Sequence, residues 1–160
     1  MKILGIDPGL NITGYGLIQI AEVPVPQLFM YGCVRTKAKQ PLAERLFKIH
    51  TEIKDLITEH KPDVLVMEDI FYAKNIKTAI TMGHVRGAVM VAAMDRGISV
   101  VEYSPREIKL SVTGNGGASK DQVNFMVQRI LKVAEPITPA DASDALAAAI
   151  CHWHRIKFQQ

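Results

Sequence analysis

The chain has 160 residues, 48% apolar and 22% charged, which excludes a disordered or fibrous polypeptide and suffices to bury a core without disulfide or metal staples. Its longest apolar run, Gly87 to Met94, is fenced by Arg86 and Asp95; a membrane span needs roughly 18 to 20 residues, so no membrane association is expected. The net charge of +3 is a mild excess that by itself selects no partner.

Ile3 to Ile6 is a short apolar run ended by Asp7-Pro8-Gly9, which predicts a buried strand entering a tight turn. Thr13 to Ala21 and Leu28 to Arg35, separated by Pro24 and Pro26, predict two further strands, antiparallel with the first. Leu42, Leu46, Ile49, Ile53 and Leu56 recur at helical spacing between Pro41 and His60 and mark one apolar stripe. Lys61-Pro62-Asp63 ends that helix, and Val64 to Met67 predicts a strand buried on both faces that delivers Glu68 at its carboxyl end.

The next helix, about 75–95, carries Ala79, Gly83 and Gly87 at four-residue intervals, a stripe that admits close approach of either the sheet or a second subunit. Ser99 to Tyr103 predicts a strand, Pro105 to Val112 a helical turn and Thr113 to Ala118 a loop. Ser119 and Gln122 form a capping box for a helix with Val123, Met126, Val127, Ile130 and Leu131 inward. The last helix is predicted to take Thr138 as N-cap and Pro139 as its first residue, and to run to about Lys157. No repeat or linker interrupts the chain, so residues 1–160 are read as a single domain. The order β-β-β-α-β-α-β-α-α predicts an α/β fold of the ribonuclease H type, a mixed sheet flanked by helices.

Four carboxylates stand out in that order: Asp7 ending the first strand, Glu68 ending the fourth, and Asp141 and Asp144 on the last helix. The helical pair is spaced to share one face. If the two apolar strands are neighbours, their acids emerge at the same sheet edge, and the alanine-rich last helix can close over them. Asp69, beside Glu68, points to the opposite side by strand alternation and is read as solvated.

Taken singly, Asp7 fits a turn and Asp141 a helix cap. Together, ionised carboxylates at close range raise one another's pKa and call for cations. Oxygen-only ligands select Mg²⁺ or Mn²⁺, and two such ions per site serve in-line phosphodiester hydrolysis. With four acids assigned to metal, the 19 bases outnumber the remaining acids clearly, which suits a polyanionic partner. The cations concentrate in places, with seven bases against four acids from Arg35 to Lys61.

Other motifs fail. Gly114 to Lys120 resembles a phosphate-binding loop, but Ser119 precedes the lysine and Asp121 follows it, so no nucleotide site is expected there. Cys151, His152 and His154 diverge in direction on a helix and are read as ordinary helix surface, not a zinc site. Cys33 and Cys151 form no CxxC pair, and no signal-peptide pattern opens the chain, so a cytoplasmic location is expected.

The segments MKILGIDPGLNITGYG, VLVMEDIFYAKN, GHVRGAV, SPREIKLSVTGNGGASK and PADASDALAAAICH span nearly the whole chain in order and closely resemble the RuvC family of Holliday junction resolvases. The resemblance implies a ribonuclease H-like fold, a homodimer, and Mg²⁺-dependent cutting of four-way junction DNA by symmetric nicks in two strands of like polarity, in recombination and repair. It assigns the catalytic and metal-binding acids to Asp7, Glu68, Asp141 and Asp144. In some family members a histidine stands at the position of Asp144. It also places Phe71 on an unpaired base at the junction centre and Lys109 and Lys120 near the scissile phosphate, and implies cooperation with the RuvA and RuvB branch-migration proteins.

Physically, Phe71 or Tyr72 beside a metal site can replace base stacking, and Lys120 near the start of a helix is better placed for phosphate than for stability. Lys74 and Arg86 are further DNA-contact candidates. Two other functions compete. GIDPGLNITGYG also resembles the phosphate loop of actin-like and sugar-kinase-like ATPases, but those bind nucleotide between two related domains and this length supplies one. A junction-binding module without catalysis is opposed by the four acids, which weaken DNA binding unless metal answers them.

Overall fold

The computed structural model describes residues 1–21, 25–69 and 75–157. Its strands are β1 (Lys2–Asp7), β2 (Ile12–Gln19), β3 (Gln27–Arg35), β4 (Val64–Glu68) and β5 (Ser99–Tyr103). Its helices are α1 (Leu42–His60), α2 (Ile76–Met94), α3 (Pro105–Thr113), α4 (Lys120–Leu131) and α5 (Ala140–Lys157). The strands form one five-stranded sheet in the order β3-β2-β1-β4-β5. The β1–β2 and β2–β3 pairs are antiparallel, and the β1–β4 and β4–β5 pairs are parallel. The mixed α/β sheet expected from the sequence is therefore present, with α1 and α2 as the long connections that parallel pairing requires.

Strand alternation divides the core in two. Ile3 of β1 and Val64 and Val66 of β4 face one side, with Val123 and Val127 of α4 and much of α5. Leu4, Ile6, Leu65 and Met67 face the other, against Ile49, Ile53 and Ile57 of α1 and Val85 and Val89 of α2. The result is a sheet between two helical layers. By the same alternation Asp7 and Glu68 fall in step with Ile3 and Val66, on the side of α5.

Arg45 sits buried in the α1 stripe that the sequence reserved for apolar residues, whereas Leu42 is exposed. Its guanidinium donates to Thr36 Oγ1 at 2.8 Å and to Asn11 Oδ1 at 2.5 Å, which satisfies the charge and ties the helix to the loops flanking β2 and β3. On α2, Val85, Val89, Ala92 and Ala93 point inward while Ile76, Ile80, Val91 and Met94 remain exposed. Gly83 and Gly87 face open space. Of the two partners the small-residue stripe admitted, the sheet is not the one that meets these glycines.

Helix α5 is buried almost continuously from Ala142 to Trp153. It approaches β1 and β2 where those strands have no side chain. A Cβ on Gly5 would overlap the carbonyl of Ala145, one on Gly14 the carbonyl of Asp141, and one on Gly16 the side chain of Leu146. The helix begins at Ala140, not at Pro139 behind a Thr138 cap, because the Ala142 amide bonds the Pro139 carbonyl at 3.0 Å and makes Pro139 the flanking residue. The capping box at Ser119 and Gln122 forms as predicted, with Gln122 donating its amide to Ser119 Oγ and Ser119 its amide to Gln122 Oε1. A second box, Ser104 with Glu107, starts α3.

Candidate active site

The parallel register pairs Ile6 with Met67, which sets Asp7 and Glu68 side by side at the ends of β1 and β4. Helix α5 crosses over them, held close by Gly5, Gly14 and Gly16, and its second turn brings Asp144 above the strand ends. Asp7, Glu68 and Asp144 line one pocket together with Lys109 of α3 and Lys120, the first residue of α4. Pro105, Ile108 and Val123 form its apolar wall. The Lys120 ammonium lies 3.0 Å from Asp144 Oδ2.

Burial pushes Asp7 up from 3.8 to about 7, and the negative charges of Asp144, Glu68 and Asp141 push the same way, against the pull of Lys120. Glu68 is raised by burial and then by Asp144, while Lys120, Lys109 and Arg86 draw it down. Lys120 in turn is raised, first by its hydrogen bond to Asp144 and then by that carboxylate's charge. A pocket whose burial and crowded negative charges push its carboxyls towards the protonated form is short of positive charge. Its donor set, carboxylate oxygens alone, fits a hard divalent cation.

The quartet does not close into a ready cage. Among the described residues no three His, Cys, Asp or Glu side chains are grouped to hold a metal ion as they stand. Asp141 lies one turn before Asp144, outside the pocket lining, yet near enough for its charge to raise Asp7. The Lys120 ammonium engages Asp144 Oδ2 at 3.0 Å.

Of the DNA-contact candidates, Lys109 and Lys120 line the pocket, whereas Phe71, Tyr72 and Lys74 lie outside the described residues. Arg86 is only 8% exposed, and its guanidinium donates to the Glu68 carbonyl and to the Glu102 carboxylate. It is committed to the protein interior and not offered to DNA. Asp69 points to the opposite face from Glu68, as alternation requires, but it lies 3.5 Å from Arg86 and is not simply solvated.

The expected surface role of Cys151, His152 and His154 also gives way. Cys151 and His152 are buried, His152 Nδ1 is 2.9 Å from the Tyr103 hydroxyl, and His154 Nδ1 is 3.0 Å from Ser111 Oγ. With Arg155 donating to Glu107 at 2.6 Å, they lash α5 to β5 and α3, the helix that carries Lys109. The positioning residues missed in the sequence are Gly5, Gly14, Gly16, Glu102 and Glu107. A legible signal existed for the glycines, which interrupt strands at every second position of GYG and beneath GID.

Comparison with known proteins agrees with this geometry. A family profile described as "Crossover junction endodeoxyribonuclease RuvC" matches residues 3–152. A protein of that name from Syntrophomonas wolfei is 46% identical over 96% of this chain and 89% of its own. Another from Pseudoalteromonas atlantica is 51% identical over 95% and 86%. Thermus thermophilus RuvC, solved in complex with Holliday junction substrate, superposes with a TM-score of 0.94 at 31% identity, covering 99% of this chain and 96% of that one. None of these relatives supports the ATPase alternative. The family profile, the sequence identity of these relatives and the superposed fold thus converge, and the chain belongs to the RuvC family of crossover junction endodeoxyribonucleases.

Proposed function

We propose that this chain resolves four-way DNA junctions by Mg²⁺-dependent phosphodiester hydrolysis, nicking two strands of like polarity symmetrically in recombination and repair. The observation that carries this proposal is the meeting of Asp7, Glu68 and Asp144 in one pocket with Lys109 and Lys120. Asp7, Glu68, Asp141 and Asp144 are the residues that would hold the metal. When bound, two Mg²⁺ ions, or Mn²⁺ in their place, lower the pKa of an attacking water and neutralise the leaving oxygen.

The chain's own residues do the rest. The Lys120 side chain is 77% exposed, so its ammonium would be free to turn from Asp144 to a phosphate oxygen of a bound strand. Lys109 approaches from α3 to orient the same backbone. Burial of Asp7 beneath α5 limits the water that reaches the site and strengthens every charge in it. Phe71 and Tyr72 are assigned to unstacked bases at the junction centre and Lys74 to the backbone. Arg86, buried and bonded to the Glu68 carbonyl and Glu102, is left out of the DNA contacts.

A junction has two equivalent strands to cut, which favours a homodimer. The outward stripe of α2, Ile76, Ile80, Gly83, Gly87, Val91 and Met94, is exposed or half-buried in the single chain and has the composition of a helix-pairing face. Cooperation with RuvA and RuvB follows from the family alone. No helix among the described residues is long and apolar enough to cross a membrane, and the free Cys33 and Cys151 accord with a cytoplasmic location.

The test is to incubate the protein with a synthetic four-way junction and a linear duplex of the same sequence, with and without Mg²⁺, and to map the nicks. Paired, symmetric nicks in the junction alone, and only with metal, are expected. Equal cutting of the duplex, or cutting in EDTA, would overturn the proposal.

A further inference from the structure

Glu68 ends β4, and a strand end is where backbone groups lose their partners and a side chain loses its fixed direction. On the β5 side, the Asp69 amide donates to the Tyr103 carbonyl at 2.8 Å. The Glu68 carbonyl is taken by a guanidinium from another layer of the fold: Arg86 of α2 donates one nitrogen to it and another to the Glu102 carboxylate. Glu102 stands on β5 opposite Met67, so its side chain, like that of Met67, points to the α2 face. The same nitrogen of Arg86 lies 3.5 Å from Asp69 Oδ1.

Arg86 thus grips the last peptide of β4 and both flanking carboxylates from the face opposite the pocket. It cannot touch DNA at the acid cluster, because the sheet lies between. A buried guanidinium is tolerated only when its donors are used, and here they are used on the peptide that sets where the Glu68 carboxylate emerges.

We infer that Arg86, braced by Glu102, is a positioning residue that fixes the Glu68 peptide from behind the sheet and so tunes the pocket's affinity for a divalent cation. This rests on the proposed nuclease function only for the identity of the reaction; the clamp itself makes a claim about metal binding that can be read without cleavage. Groups that orient metal ligands typically change metal affinity by 10- to 100-fold when removed.

The decisive variants are Arg86→Lys, which keeps the charge without the two-armed reach, and the double replacement Arg86→Met with Glu102→Leu, which removes the buried guanidinium together with its more exposed carboxylate partner and leaves neither charge of that pair without the other. For each, Mn²⁺ binding is titrated calorimetrically, binding to a synthetic junction is measured in EDTA, and the melting temperature is recorded. We expect both variants to fold, to bind the junction within about twofold of the unsubstituted protein, and to need about tenfold more Mn²⁺ for half-saturation, the low end of such losses.

Unchanged Mn²⁺ affinity in a folded variant would overturn the inference and leave Arg86 a packing residue. Junction affinity lost at unchanged Mn²⁺ affinity would overturn it in favour of a DNA contact. Should the double replacement not fold, Arg86→Lys carries the same readings. If the unsubstituted protein binds Mn²⁺ but cuts no junction, the nuclease proposal fails while the titration still decides the clamp.

Discussion

The Lys120 ammonium lies 3.0 Å from Oδ2 of Asp144, joining the first residue of α4 to the second turn of α5 across the mouth of the pocket. At 77% exposure of the lysine such a pair adds at most about 1 kcal/mol to stability.

Lys120→Ala is therefore expected to melt within a few degrees of the unsubstituted protein while cutting a junction about 10²-fold more slowly, the size of loss seen when one aimed electrostatic donor is removed. The salt dependence of junction binding should weaken by about one unit of slope. Melting curves beside single-turnover cleavage check this, and a large fall in melting temperature with unchanged cleavage would make Lys120 structural.

Asp7 titrates near 7 when folded and near 3.8 when unfolded. Between those values the folded chain holds a proton that the unfolded chain has released, so this group's contribution is whole below pH 3.8 and is lost as pH rises through about 7. Glu68 is shifted the same way. In EDTA, Asp7→Asn should melt above the unsubstituted protein at pH 8, by about 2–4 °C for each kcal/mol recovered, and the gap should close towards pH 4. It should bind a junction and not cut it. A pH-independent gap would refute the shift.

Metal should reverse that trend. Adding Mg²⁺ at pH 8 is expected to raise the melting temperature of the unsubstituted protein and leave Asp7→Asn nearly unmoved, since the ion binds the folded state through the missing carboxylate. Thermal scans across a Mg²⁺ series read this directly. An equal response of both proteins would place the ion elsewhere.

A methyl group at Gly14 would overlap the carbonyl of Asp141, so helix and strand must separate. Gly14→Ala is expected to cost about 1–3 kcal/mol and to slow cleavage at saturating DNA. Gly117→Ala, which meets only Asn115 Oδ1 at 3.4 Å, is the control and should stay within about 0.5 kcal/mol. Urea unfolding compares the two.

The exposed Ile80, 57% accessible in the single chain, tests the paired arrangement. Ile80→Glu should sediment as a monomer and produce unpaired nicks at a junction. A monomeric parent protein, or a variant that still dimerises, would remove α2 from the interface.

Much of this was readable from residues alone, and for identifiable reasons. The apolar run of Val64 to Met67 named a central strand, and because parallel neighbours share register, Asp7 and Glu68 had to meet. The three-residue spacing of Asp141 and Asp144 put both on one face of the helix, but spacing says nothing about which of them lines the pocket; the close contact of the Asp141 backbone with Gly14 belongs to the packing that decides it. Arg86 misled because a cation in a small-residue helix looks solvent-facing until its partners on β4 and β5, distant in sequence, are known. Cys151 and His152 misled for the same reason, their partners Glu107 and Tyr103 lying on other elements. The start of α5 was displaced by one residue because the Pro139 carbonyl, not a Thr138 side chain, receives the first turn's amide.

Where layers meet through side chains, a changed rotamer can absorb a substitution. Gly5 and Gly14 leave α5 with no such slack, since main chain rests on main chain. The gap between the acids of β1 and those of α5 is accordingly built like a machined spacing and not a sprung one. A library randomising these two glycines should return chiefly the parent residues under selection for cutting, whereas one randomising the outer face of α2 should tolerate any set that still self-associates.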